Sequence, residues 1–310
     1  MSLSIIEEAF KNIDTCTQWS LQLINIVSTK KAGTNYSSRQ IELFPKNKLS
    51  EHIKEIADIY LYGKKKALSL YQDVRDYDGT ANALSIYRLQ TNSELIATEF
   101  KSFLETIANP DTESDPFNYT SAYLLKGTLM LNDVETPIKL ISMQNPITSL
   151  KNKFAQDNGK FHELSNKVLS LRPTIDVLIL GETIYFLSLA GENLFNMARS
   201  YKKVCLDKVE LIQQSAILSD FEKFKSVAEF GHNPRKFVSF NQSRLTALEN
   251  KKTRNSIAKK FSIPLSEDTG IFDTSVDGAS EKIVKLLCNK GMLDPFDNDP
   301  VEVDGARQWK

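Results

Sequence analysis

Three cysteines and three histidines are spread through this sequence, too few and too far apart to assemble a site of soft ligands. Cys16, Cys205 and Cys288 are odd in number and form no C-x-x-C pair, which argues against a disulfide framework and a thiolate zinc site. Cys205 and Cys288 fall on apolar helix faces and read as small core residues. His52, His162 and His232 have no motif spacing, and there is no H-E-x-x-H. The 12 glycines form neither G-x-x-x-x-G-K-[ST] nor G-x-G-x-x-G, and no serine stands in a G-x-S-x-G elbow. Long apolar runs are missing as well: none approaches the roughly 18 residues that span a bilayer. The N-terminal stretch "MSLSIIEEAFKNIDTC" lacks a basic segment followed by an apolar core, so no signal peptide is expected and the chain reads as cytoplasmic.

Net charge is absent too, with 39 basic and 39 acidic residues, but the balance is local rather than uniform. Phe221 to Ser262 holds ten Lys or Arg against three Glu, a net of +7. Ile263 to Asp304 holds ten Asp or Glu against three Lys, a net of −7. A neutral total therefore says little about partners, whereas the asymmetry points to a basic surface beside an acidic tail.

Periodicity predicts an α+β chain: a mixed α/β part over 1–189 with antiparallel hairpins, and a mostly helical part over 190–310. "WSLQLINIV" (Trp19–Val27) alternates as a half-buried strand does, with "RQIELF" (Arg39–Phe44) as its partner across the turn-rich "KKAGTNYSS". Leu49–Tyr62 and the stretch after Ser93 carry helical spacing, "ALSIYRLQ" a strand pattern, and "PDTESDPFN" an exposed acidic loop. Asn132-Asp133 and Gly181-Glu182 each separate two apolar runs and read as hairpin turns. The second pair of runs is so continuously apolar that both faces should be buried. The polar stretch between the hairpins, "KNKFAQDNGKFHELSNK", reads as a long surface connection. Beyond Ala190, Leu194, Met197, Ala198, Tyr201, Cys205, Val209 and Ile212 line one face of a long helix. Ser219 and Glu222 have capping-box spacing, Gly231 suits a C-cap, and a last helix over Ile283–Leu287 is closed by Gly291. The tail from Gly291 has no period and reads as loop.

Within the basic segment, Leu245 and Leu248 lie nearly opposite Ile257 and Phe261 at about 100° per residue. One straight helix cannot bury both pairs, so a break around Asn250–Thr253 is expected. That places Arg244, Lys251, Lys252 and Arg254 near a helix–helix junction, with Lys259 and Lys260 on the second helix and Arg235 and Lys236 upstream. Clustered cations beside helix ends suit DNA phosphate contacts, and no recognition-helix pattern is present, which favours sequence-independent backbone binding. The competing reading is a solvated basic face, partly neutralised by the acidic tail Asp294–Asp304. If that tail lies over the patch, it weakens DNA binding until a partner displaces it.

Two acidic constellations deserve weighing. Asp294, Asp297 and Asp299 cluster, but the frame lacks the glycine and bidentate glutamate of a calcium loop, and a solvated tail is the simpler reading. Asp176 and Glu182 offer a metal-dependent nuclease pair, yet Ile184 stands where the lysine of E-x-K belongs. Neither constellation names a metal site or a cofactor.

The run "IDVLILGETIYFLSLAGENLFNMARSYKKVCLDKVELIQQSAILSDFEKFKSVAEFGHNPRKFVSF" resembles the domain that defines KwaB, a component of the Kiwa anti-phage defence system. The shared pattern is ordered: an apolar hairpin with Ile-Tyr, a Leu-Phe pair opening a long helix, an F-x-x-F helix, and a basic N-x-R-K segment. The resemblance is clearest from about Tyr119 to Leu287, with Asn193-Leu194-Phe195 replacing the usual Phe-Glu before the long helix. It implies a cytoplasmic, non-enzymatic effector that binds DNA and blocks phage replication and late transcription. It further implies a homo-oligomer, a dimer or dimer of dimers, recruited to the inner membrane by a small multi-spanning partner, KwaA. It assigns no residue-level DNA contacts. A divergent nuclease and a protein-docking scaffold without DNA binding are the alternatives.

Overall fold

The computed structural model describes residues 5–16, 18–29, 33–63, 71–73, 86–149, 154–157, 159–163, 167–293 and 300–302. The chain divides into two compact units, one built from residues 1–71 and 82–197, the other from 198–310 together with 72–81.

The first unit is organised by a sheet. In chain order its elements are α1 (Ile5–Lys11), β1 (Ser20–Thr29), β2 (Gly33–Ile41), α2 (Asn47–Tyr62), β3 (Tyr71–Asp73, of which only Tyr71 is counted to this unit), β4 (Ile86–Gln90) and α3 (Ala97–Ala108). There follow β5 (Ala122–Leu131), β6 (Val134–Ser142), β7 (Ile147–Ser149), β8 (Phe154–Asp157), β9 (Lys160–Glu163), β10 (Lys167–Leu169), β11 (Val177–Leu180) and β12 (Thr183–Phe186). Among the described residues eight strands form one sheet in the order β2-β1-β5-β6-β11-β12-β4-β3. The ladders from β2 across to β4 are antiparallel.

Both expected hairpins are present. Asn132 and Asp133, with φ of 49° and 60°, turn the chain between β5 and β6, the left-handed pair that matches strand twist in a two-residue loop. Gly181, at φ 56°, does the same between β11 and β12. All four residues of β11 are buried, because both faces of the sheet are covered. On one face Leu21, Leu23, Leu125, Leu140 and Leu178 pack with Ile6 and Phe10 of α1 and Ile53, Ile56 and Tyr60 of α2. On the other, Tyr87 stacks on Phe186, while Phe195 meets Phe186, Phe100 and Phe103, the last two from α3.

Three expectations for this unit change. The partner of β1 starts at Gly33, so much of the supposed turn is strand, and only its first residues lie outside the described set. The polar connection after β7 contains a hairpin, β8 with β9, and β10 pairs with β7. The acidic loop is not free either: Arg39 donates to the carbonyls of Ser114 (2.8 Å) and Asp111 (3.1 Å), and Asp111 bridges to Arg39 through backbone bonds. The loop thereby covers a stretch of the β2 edge that would otherwise invite another strand.

The second unit is mostly helical: α4 (Met197–Gln214), α5 (Phe221–Ala228), α6 (Asn233–Lys236), α7 (Gln242–Glu249), α8 (Lys251–Lys260) and α9 (Ala279–Leu287), then β13 (Gly291–Leu293) and β14 (Pro300–Glu302). Cys205, Val209, Ile212, Phe224, Phe237, Leu245, Leu248, Ile283 and Leu287 share its core. The α+β class is therefore what the chain adopts.

The cap of α5 is Asp220, whose carboxylate accepts from Lys223 N at 2.9 Å, not Ser219. Ser219 is otherwise engaged, donating to Asp273 (3.1 Å) and accepting from Thr274 N (3.1 Å) where this strand-like segment meets Phe272. At the end of α9 the left-handed residue is Asn289 (φ 58°), while Gly291 opens β13, whose pairing with β14 replaces part of the expected loop. The rest of the acidic tail, 294–299 and 303–310, lies outside the described residues, and with it the Asp294, Asp297 and Asp299 cluster. Among the described residues no helix is long and apolar enough to cross a membrane.

Candidate nucleic-acid interface

The phase conflict in the basic segment is resolved at one residue. Asn250 leaves the helical region (φ −72°, ψ 118°), ending α7 and starting α8, so Lys251, Lys252 and Thr253 are already helical rather than a linker. Its side-chain oxygen accepts from Lys252 N (3.0 Å) and Thr253 N (3.1 Å), satisfying two donors that a helix start leaves orphaned. Leu245 and Leu248 are buried from α7 and Ala258 from α8, with Ile257 half-buried beside it.

The eight basic residues then separate into two groups. Arg254 is buried, and its guanidinium donates to the carbonyls of Gly270 (2.9 Å), Leu248 (2.9 Å) and Glu249 (3.2 Å). It thus closes the C-terminal end of α7, whose last carbonyls have no intrahelical partner. Arg244 is half-buried and donates to Leu286 O at 2.7 Å, at the end of α9; desolvation pulls its pKa down, though a guanidinium stays charged. Arg235 is buried with its guanidinium carbon 4.8 Å from the centre of the Tyr201 ring, a cation–π contact. Lys236 is half-buried in the short α6.

Lys251, Lys252, Lys259 and Lys260 are all exposed, and none of their ammonium groups has an ion-pair or hydrogen-bond partner among the described residues. At about 100° per residue Lys252, Lys259 and Lys260 fan over the side of α8 opposite Arg254 and Ala258, while Lys251, seven residues before Ala258, stands at the start of the packed side. Lys252 and Lys259, seven residues apart, fall close to one line along the helix, about 10 Å apart in rise. Thr253, Asn255 and Ser256 are exposed too, and the whole of α8 contains no carboxylate. These three small polar residues were not singled out from the sequence; phasing the uncharged polar residues as well as the charged ones would have found them. Lys251 and Lys252 also sit at a helix N-terminus, where the dipole opposes a cation by about 0.3–1 kcal/mol each.

The acidic pair Asp176 and Glu182 does not converge. Asp176 is buried before β11, one carboxylate oxygen accepting from Met143 N (2.7 Å) and the other from the Ser188 hydroxyl. Glu182 is exposed in the turn at the far end of the four-residue β11, on the order of 13 Å away at about 3.3 Å per strand residue. Among the described residues no three His, Cys, Asp or Glu side chains gather closely enough to hold a metal ion.

Residues 136–291 match the family model described as Kiwa protein KwaB-like. The chain belongs to the KwaB-like family. The match runs from within β6 to the start of β13, and so takes in the β11–β12 hairpin, every helix of the second unit and all eight basic residues. No curated protein and no solved structure shows significant similarity to the chain. Among the described residues of the KwaB-like segment, α8 combines four exposed lysines with three exposed small polar residues and no carboxylate.

Proposed function

We propose that this KwaB-like protein is the DNA-binding effector of a Kiwa anti-phage defence system, holding duplex DNA by its phosphates on the outward face of α8. The observation that carries the reading is four exposed lysines without side-chain partners on one acid-free helix, three of them on its outward face and two at the helix start where they cost stability. Side chains of Thr253, Asn255 and Ser256 supply neutral donors between them. Lysine is a point charge without the fork that reads guanine, so the contacts are to backbone and independent of sequence. The protein works as a homo-oligomer in the cytoplasm with a small multi-spanning membrane partner, and stops phage replication and late transcription by occupying DNA rather than cutting it.

The test is a set of binding curves on duplex DNA at several salt concentrations. Log affinity should fall linearly with log salt, with a slope that shrinks by about 0.9 for each phosphate contact removed. Replacing Lys251, Lys252, Lys259 and Lys260 by Ala should flatten it, and plasmid incubated with magnesium should remain intact. No binding at low salt would sink the reading. A membrane subunit that co-purifies after nuclease treatment, without any DNA binding, would favour the scaffold instead.

A further inference from the structure

A second cationic site lies in the first unit. Directly opposed residues in neighbouring antiparallel strands share a face, and the pairings Ser20↔Lys126, Lys126↔Lys139 and Lys139↔Ile179 define one row across the middle of the sheet. The row is on the α3 side, since Lys126 Nζ donates to Ile107 O, near the C-terminal end of α3, at 3.1 Å.

Two half-buried ammonium groups directly opposite each other repel, and neither has a carboxylate partner among the described residues. Lys139 has no hydrogen-bond partner there either, and burial, then the charge of Lys126, pushes its pKa down. The row borders a cleft of about 410 Å³ lined by Gln18, Trp19, Ser20, Lys126, Thr128 and Lys139 among others. The hydroxyl of Ser20 in that cleft is shut off from water without a hydrogen-bond partner. A solvated pair of lysines leaves that hydroxyl without a partner, whereas a bound oxyanion relieves the repulsion and gives the hydroxyl an acceptor once the Ser20 side chain turns toward the cleft.

We propose that the cleft between Ser20, Lys126 and Lys139 binds a phosphate dianion, free or as the terminal group of a nucleoside monophosphate. Two cations match a charge near −2, with the serine hydroxyl as a third donor. Lys126 keeps its bond to Ile107 and turns its other protons to the ligand. The cleft falls within the range of about 300–1,000 Å³ typical of small-ligand sites, larger than a bare ion needs. The site involves none of the α8 lysines and stands or falls independently of DNA binding.

The experiment is calorimetric titration and thermal melting of the full chain at fixed ionic strength, with inorganic phosphate in one arm and AMP in the other. Saturable one-to-one binding and a raised melting temperature are expected in at least one arm. Tighter binding of AMP identifies a nucleotide as the source; equal or weaker binding of AMP identifies free phosphate. Lys139→Met should lose at least tenfold in affinity, and Ser20→Ala severalfold, without lowering the melting temperature of the ligand-free protein. Lys252→Ala should bind phosphate as the parent does. Absence of saturable binding in both arms, or affinity unchanged in both Lys139→Met and Ser20→Ala, overturns the proposal.

Discussion

Arg254 Nη1 donates to the carbonyl of Leu248 at 2.9 Å, reaching back from α8 across the break at Asn250 to the end of α7. A guanidinium, the group whose fork matches phosphate, is thus spent on the fold. Arg254→Met keeps the bulk and removes the donors to three carbonyls, one of them, that of Leu248, in a buried bond and two in partly buried ones. At about 1–3 kcal/mol for a buried acceptor left unsatisfied, the variant should lose about 2–4 kcal/mol in urea unfolding. Arg254→Lys should recover little of this, because one ammonium cannot span the fork.

That contrast also marks where sequence reading stops. The hairpins were legible because turn chemistry is local: Asn132-Asp133, with short polar side chains, and Gly181, with none, are the residue types that tolerate positive φ. The division of α7 from α8 was legible because Leu245 and Ile257 cannot share a helix face. The β8–β9 hairpin was passed over because its strands are short and polar, although Asn158-Gly159 is a strong turn signal. The sheet order was not readable at all, since β4 joining β12 pairs residues such as Leu89 and Ile184 that are far apart in the chain. Nor does charge alone reveal that Arg244 reaches Leu286 or that Arg254 reaches Gly270, while four lysines nearby reach nothing. A basic segment is visible from composition; its division into structural and available cations is a property of packing.

Opposite effects on stability and binding are expected at Lys252. A carboxylate in the first turn of α8 suits the dipole where an ammonium does not, so Lys252→Glu should raise stability by up to about 1 kcal/mol. The same change should weaken DNA binding and reduce the salt slope. Urea unfolding and salt titration of one preparation read both, and a variant that loses stability while retaining its slope contradicts the assignment of this face.

Thiol chemistry offers a check on the core. Burial pushes the Cys205 thiol up to about 12 and raises that of Cys288 further, and Cys16 is buried as well. Thiolate is the reactive form, so native protein at pH 8 should react with a disulfide reagent only as fast as it opens. Three equivalents should appear promptly in denaturant. A rapid native equivalent would place a cysteine at the surface.

Acid sensitivity should report the loop that covers the β2 edge. The Ser114 hydroxyl, then the N–H groups of Glu113 and Ser114, and the Tyr119 hydroxyl hold the Asp111 carboxyl well below the ordinary carboxylate range. A depressed folded-state pKa means stability that is complete above the unfolded value, about 3.9, and lost as pH falls below it. Asp111→Asn should therefore flatten the fall in stability between about pH 4 and pH 2, measured by urea unfolding at each pH, while lowering the plateau at neutral pH. An unaltered acid limb would mean that Asp111 does not carry it.

Two glycines separate close packing from mere small size. A Cβ on Gly191, in the turn after β12, would lie 2.6 Å from Val177 Cγ2 and 2.8 Å from the backbone oxygen of Asp176. That oxygen cannot retreat, because it accepts from Leu187 N at 2.8 Å, so relief must come from moving the turn away from β11. Gly191→Ala should cost about 1–3 kcal/mol, the range for overpacking a filled core. A Cβ on Gly291 meets nothing nearer than 3.5 Å, an ordinary contact, and Gly291→Ala should stay within about 0.5 kcal/mol of the parent. Unfolding curves of the two variants side by side test the placement of the turn against β11, and equal stabilities would show that the packing at the start of β11 is looser than its geometry.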